Sequence, residues 1–293
     1  MGFPAKVGNS SSLDVMELDR WALAFTILPW PEGQKARLWA ALQRGEVPNL
    51  DAAARRELKE LEPDRLREEA RGRGACLVLP SDPGAQDFMA ELPYPVALWV
   101  RGTLPPKGLA VALVGSREAS VAGKTRAKAW AKELTQAGVA VLSGLARGID
   151  GAAHTGALEA GATWGIMGSG LDHPYPPEHV KLMDRMAESG GVITPFPPEA
   201  LPQKWHFPRR NWLLAAWTRG VVVVEARTKS GSLVTARLAL DLGRELWACP
   251  GAPENPLAEG PNGLLREGAA RACRGPGDIL EDLASLPLGQ ICP

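Results

Sequence analysis

Val139-Ala-Val-Leu142-Ser143-Gly-Leu-Ala-Arg-Gly-Ile-Asp150-Gly-Ala-Ala-His154 is the stretch that decides the fold class. An apolar run passes into a glycine-punctuated loop, and the loop into small residues from Gly151 to Ala160 that suit a helix. An α/β sheet presents a concave anion site in this way, at the C-terminal end of a strand. Gly144 and Gly148 let the backbone turn tightly and approach a ligand, while the helix start offers unpaired N–H groups. Arg147 adds a charge suited to phosphate. Upstream, Val111-Ala-Leu-Val-Gly-Ser-Arg117 repeats the pattern and also ends in arginine. Two such loops point to a ligand with more than one phosphate.

Outward from these loops, short apolar runs recur at 76–79, 96–100, 110–114, 139–142, 163–167, 220–224 and 245–248. Several are separated by segments long enough for helices. Within 124–136, Ala127, Trp130, Ala131 and Leu134 form one helix face, with Lys124, Lys128 and Lys132 mainly on the other. Val221-Val-Val-Val224 is apolar without alternation, as a strand buried on both faces is. The alternation predicts an extended Rossmann-like, mainly parallel α/β sheet with helices on both faces. Residues 14–72 read instead as helical: Leu18, Trp21, Ala22, Phe25 and Leu28 share a face, Leu38, Ala41 and Leu42 suggest a second helix, and Pro63 opens a third through Arg71. The expected organisation is a small helical domain over 1–72 and the α/β domain over 73–293.

Composition narrows the class. The chain has 293 residues, 45% hydrophobic and 23% charged, with 33 basic and 33 acidic side chains. Zero net charge and the absence of a basic tail restrict any nucleic-acid surface to a local patch. No run approaches the roughly 20 apolar residues that span a bilayer, so no membrane partner is expected. The first 14 residues lack the apolar core of a secretory signal. Four cysteines (76, 249, 273 and 292) form no C-x-x-C pair, which argues against a disulfide framework or a zinc site. A cytoplasmic location follows, with no metal and no cofactor.

Five loops should line the carboxyl edge of the sheet: Gly115-Ser116-Arg117, Ser143 to Asp150, Gly168 to Asp172, Thr194 to Asn211, and Glu225 to Ser232. Ser230 and Gly231 precede a helix beginning near Leu233 and make a further anion-binding helix start. Neither G-x-G-x-x-G nor a Walker A motif stands at these strand ends, which speaks against a dinucleotide. Lys204-Trp-His-Phe-Pro-Arg-Arg-Asn-Trp212 interleaves basic and aromatic residues. Such a segment either binds single strands by phosphate contact and base stacking at Trp205, His206 or Phe207, or anchors a loop by packing its rings inward. Asp150 and His154 are either an acid–base pair or, as favoured here, a helix cap and a histidine that satisfies a buried backbone group. Glu225 is either a catalytic carboxylate or, as favoured here, the partner of a neighbouring arginine. His173 and His179 have no metal-ligand spacing.

These motifs, in order, are Val114-Gly-Ser-Arg117, Ser143 to Asp150, Ala153-His-Thr-Gly-Ala-Leu158, Gly168-Ser-Gly-Leu-Asp172, Tyr175-Pro176, Phe207-Pro-Arg-Arg-Asn211, Val224-Glu-Ala226, Ser230-Gly-Ser-Leu-Val-Thr-Ala236 and Pro250-Gly251. The series resembles the DNA-processing protein A (DprA/Smf) family over about 75 to 270, and Tyr94-Pro95 and Val100-Arg-Gly102 resemble the strand before its core. The resemblance implies a cytosolic bacterial protein without established enzymatic activity. It would form a homodimer, bind single-stranded DNA in natural transformation and help load RecA recombinase onto it. It also implies DNA contacts at Arg117, Lys204 and Phe207. With the loop reading, the expected DNA-binding set is Gly115, Ser116, Arg117, Ser143, Gly144, Arg147, Gly148, Lys204, Phe207, Arg209, Arg210, Asn211, Ser230 and Gly231. Two departures fall in or near the expected groove: Trp212 replaces a usual arginine, and Thr194-Pro195-Phe196 replaces Ser-Glu before an aromatic. The residues after Cys273 are too few for the winged-helix domain of many members, so its function is not carried over. The runner-up is an N-glycosidase-type nucleotide or nucleoside hydrolase using Glu225 or Asp150. Against it, the compact Gly-Gly-x-Gly-Thr-x-x-Glu motif of such enzymes is missing.

Overall fold

A computed structural model describes residues 14–286; the reading of the first residues as no secretory signal rests on 1–13, which lie outside that range, as does Cys292. Four helices come first: α1 (Val15–Ile27), α2 (Glu32–Gln43), α3 (Ala52–Glu60) and α4 (Pro63–Gly72). Asp14 and Asp51 cap α1 and α3 by accepting from the Met16 and Ala54 amides, and Pro63 occupies the first turn of α4. Sequence periodicity missed α3 because none of its residues is buried. In contrast, Trp21 and Phe25 of α1 and Trp39 of α2 enter one core with Leu98, Ile166 and Leu213. The helices therefore pack directly on the sheet. Thr26 ties α1 down by accepting from the Ala97 amide.

The chain continues through β1 (Cys76–Val78), α5 (Ala85–Met89), β2 (Leu98–Gly102), β3 (Ala110–Val114), α6 (Val121–Gln136), β4 (Ala140–Ser143), α7 (Ile149–Ala157) and β5 (Thr163–Ile166). It then forms α8 (Val180–Ser189), β6 (Gly191–Thr194), α9 (His206–Ala216), β7 (Gly220–Val223), α10 (Gly231–Asp241), β8 (Glu245–Ala248), α11 (Glu259–Arg266), β9 (Arg271–Ala272) and α12 (Pro276–Ser285). Among the described residues the strands form one sheet in the order β1-β2-β6-β5-β4-β3-β7-β8-β9. The pairs β1–β2 and β2–β6 are antiparallel and the rest parallel. This is the expected mainly parallel Rossmann-like arrangement. Each apolar run named above carries a strand. β6 and β9 had no comparable signal, being a short Gly-Val-Ile-Thr run and a two-residue edge strand.

Why the β3 and β7 runs lack alternation is plain from the packing. Val111 and Leu113 face α6, α7 and α12, in a core with Trp130, Ala153 and Ile279. Ala112 and Val114 face the other way, toward Ala215 of α9 and Ala236 and Ala239 of α10. Both faces are covered, and each large aliphatic chain buried there contributes about 1.5–3 kcal/mol. From β3 the chain steps through β4 and β5 to β6 on one side, then returns to lay β7 against the other side. The order reverses at β3 and β7, where the loops at the carboxyl edge diverge and leave a crevice. No helix among the described residues is long and apolar enough to cross a membrane.

Candidate nucleic-acid interface

That crevice is occupied by an open cleft of about 420 Å3, walled by the loops after β3 and β7 and the first turns of α9 and α10. Arg117 lies in the middle of the β3 loop, exposed, with its guanidinium carbon 4.9 Å from the centre of the Phe207 ring. That geometry is a cation–π contact, and Tyr175 approaches the same ring at 5.9 Å. Opposite them, Ser230 caps α10 by accepting from the Ser232 amide, so the positive end of that helix faces the cleft. Arg227 and Lys229, both exposed, come from the loop leading to this cap. Among the described residues, Arg117, Arg227 and Lys229 have no carboxylate within ion-pair distance. Exposed cations without an ion-pair partner suit a polyanionic ligand.

Behind the cleft stands a buried polar frame. Arg210 donates from Nη1 to the carbonyls of Gly144 and Ile166, at the ends of β4 and β5, and from Nε to Asn211 Oδ1 at 3.0 Å. Asp150 accepts from the Gly144 and Ala146 amides at 3.1 and 3.3 Å. The two charges face each other across Gly144, where a Cβ would stand 2.7 Å from both groups. Burial pushes the Asp150 carboxyl up and the Arg210 guanidinium down to about 10, and each charge opposes the other's shift. Gly148, at φ +77°, lies where a Cβ would collide with the Ser116 carbonyl oxygen. The two glycines therefore serve a different purpose from the ligand approach read in the sequence: the close neighbours are parts of the protein. The frame locks the β4 loop against the β3 loop.

The expected residues separate accordingly. Gly115, Ser116, Arg117, Phe207, Arg210, Asn211, Ser230 and Gly231 line the cleft, with Arg210 forming its floor. Ser143, Gly144, Arg147, Gly148, Lys204 and Arg209 do not. The Ser143 hydroxyl is buried and donates to the Leu113 carbonyl at 2.6 Å. Arg147 is exposed and bound through Nε and Nη2 to Glu178, whose carboxyl is held down to about 2 by those bonds. Arg209 turns to the opposite side of α9, donating to the Phe25 carbonyl at 2.8 Å. Lys204 is exposed on the turn entering α9. Of the three rings thought able to stack, only Phe207 faces the cleft. His206 is buried, stacked on Phe196 at 3.9 Å and hydrogen-bonded to the Gly168 carbonyl, and burial lowers its pKa.

Arg227 and Lys229 escaped the residue-level reading although their loop had been singled out. Their signal was two cations within Glu225-Ala-Arg-Thr-Lys-Ser230. The departures at 194–196 and 212 do not touch the cleft. Pro195 and Trp212 together line a small cavity with Tyr94 on another face of α9, so they neighbour one another. Asp150 and His154 do not act as a pair. Asp150 does not cap α7 either, since it accepts from the loop amides of Gly144 and Ala146, and the partner of His154 Nδ1 is a side-chain hydroxyl instead of a backbone group. His154 Nδ1 lies 2.8 Å from the Thr163 hydroxyl, which donates to the Val141 carbonyl, and burial lowers the imidazole pKa to about 3. Nor does Glu225 partner an arginine: it accepts from the amide and hydroxyl of Ser120 at the start of α6. No group of three or more His, Cys, Asp or Glu side chains among the described residues is placed to hold a metal ion.

The sequence model of the DNA recombination-mediator protein A family matches residues 86–284. The chain belongs to this family. It is 42% identical over 192 residues to the DNA processing protein DprA of Bacillus subtilis (strain 168), covering 64% of each protein. It is also 42% identical over 199 residues to the protein Smf of Escherichia coli (strain K12), covering 67% of this chain and 53% of that relative. The chain thus spans between about half and two thirds of the length of these curated members. Among solved structures, the X-ray structure of DprA from Streptococcus pneumoniae superposes with a TM-score of 0.73 at 28% identity, covering 95% of this chain and 99% of that one. DprA from Helicobacter pylori, described for its single-stranded DNA binding mode, matches with a TM-score of 0.63 at 27% identity over 72% of this chain and 95% of that one.

Proposed function

We propose that this chain binds single-stranded DNA in the cleft between β3 and β7 and, acting in the cytoplasm as a homodimer, helps load RecA recombinase onto the strand during natural transformation. The role is one of binding without catalysis. The observation that carries it is Arg117, with no carboxylate within ion-pair distance among the described residues and held over Phe207, beside the start of α10. In this reading Arg117, Arg227 and Lys229 meet phosphates, Lys204 meets one at the rim, and Phe207 offers its ring to a base. Stacking accepts any base and requires an unpaired one, which favours single strands over duplex and gives little sequence preference. The family membership and the H. pylori relative support the same ligand. The proposed units remain residues 1–72 and 73–293, with the cleft in the second.

Fluorescence anisotropy with labelled single-stranded and duplex DNA of equal length tests the reading. Preferential binding of the single strand, weakened by Phe207→Ala, is the expected result. Equal affinity for duplex, or no binding at low salt, removes it. Addition of RecA to the preformed complex, followed by its ATPase activity, tests the loading step separately.

A further inference from the structure

On the side of α9 away from the cleft lies a second groove of about 670 Å3, between the α1–α2 connection and the segment after β6. Its volume falls in the roughly 300–1,000 Å3 range of small-ligand sites. Trp30 forms one wall, set between Pro29 and Pro31 and resting on Trp21 and Phe25 with ring centres 6.2 and 6.3 Å away. Trp205 forms the other, 53% exposed and nearly perpendicular to His206 and Phe196. Between them lie two cations whose side chains are 2% and 8% exposed, Lys35 and Arg209, against one lining carboxylate, Glu32. The two ion contacts are long, at 3.4 and 3.9 Å, and Glu32 also accepts from Tyr94. Two desolvated cations sharing one carboxylate leave an excess positive charge, and aromatic walls border it. That combination suits an anion carrying a planar ring.

The groove and the cleft are lined by neighbouring residues of the first turn of α9, His206 and Arg209 on one side and Phe207 and Arg210 on the other. Lys204 precedes the turn, Trp205 lines the groove and Phe207 lines the cleft. We propose that the groove is a second nucleotide site, where DNA leaving the Arg117–Phe207 cleft crosses α9 and lays a base against Trp205 and Trp30 with its phosphate toward Lys35 and Arg209. This rests on the single-strand reading of the cleft and gives the N-terminal helices a share in the ligand.

The test compares full-length protein binding two labelled oligothymidylates, one of about 6 nucleotides that fills the cleft and one of about 16 that continues beyond it, within the span of known single-strand sites. Trp205→Ala and Trp30→Ala should leave the short strand's affinity unchanged and weaken the long one roughly 5- to 150-fold, the value of one stacked base. Trp205 is exposed, so its variant keeps the result interpretable if Trp30→Ala unfolds, which circular dichroism reports. Arg117→Ala should weaken both strands. Parental affinity of Trp205→Ala for the long strand overturns the groove proposal and leaves the groove to another occupant, such as a protein segment. Equal weakening of both strands by Trp205→Ala also overturns it. Failure of Arg117→Ala to weaken either strand instead overturns the cleft reading.

Discussion

Salt dependence gives the sharpest test of which cations meet the DNA. Arg117, Lys204, Arg227 and Lys229 are exposed and have no carboxylate within ion-pair distance among the described residues. Each phosphate neutralised on a single strand contributes about −0.7 to the slope of log affinity against log salt, so four contacts give about −3. Raising salt from about 50 to about 200 mM should then cost the parent roughly 50-fold in affinity, and each single alanine variant only roughly 20-fold. The assay is anisotropy with the short oligonucleotide, for the parent and for Arg117→Ala, Lys204→Ala, Arg227→Ala and Lys229→Ala. Arg147→Ala is the control, because Glu178 already holds that guanidinium. It should weaken binding little and leave the slope near the parent's. If Arg147→Ala flattens the slope as much as Arg227→Ala, or if Arg227→Ala and Lys229→Ala leave it unchanged, the assignment of contacts by charge pairing is refuted.

Arg210 should behave as part of the frame. Arg210→Leu strands the carbonyls of Gly144 and Ile166 and leaves Asp150 buried without its opposing charge, so unfolding in urea should report a loss of about 3–5 kcal/mol. Adding Asp150→Asn should restore part of it; a loss below about 1 kcal/mol would contradict the frame. His154 sets an acid limit. Its folded pKa is depressed to about 3 from an unfolded value near 6.5, so the unfolded chain binds the extra proton and stability falls as pH drops below 6.5. Between about pH 7.5 and pH 5 the expected cost is about 2 kcal/mol. His154→Gln should flatten that limb, and an unchanged pH profile in the variant would rule His154 out as its source.

How far the sequence went depended on the range of the interactions involved. The strands at 110–114 and 220–224 were legible because burial on both faces writes an unbroken apolar run into the chain. Pro63 marked its helix by local backbone geometry, whereas α3 and β9 bury too little to leave a pattern. Glycine spacing marked the loops, since a side chain at Gly144 or Gly148 has no room. The sequence did not say what approaches those glycines, because Ser116 and Arg210 are distant along the chain and adjacent only after the sheet forms.

The adjacent arginines of α9 illustrate the division best. The sequence by itself determined that a basic, aromatic segment would stand at the carboxyl edge of a parallel sheet, because strand, loop and helix signals are local. It could not assign Arg209 and Arg210, since one residue along an α-helix turns a side chain by about 100°. Packing against α1 and against the β4 loop sends Arg209 to Phe25 and Arg210 beneath the cleft. Two residues turn about 200°, which carries Trp205 and Phe207 to different grooves. Tertiary structure alone decided these directions, because which side of a helix faces ligand depends on what the rest of the chain has already covered.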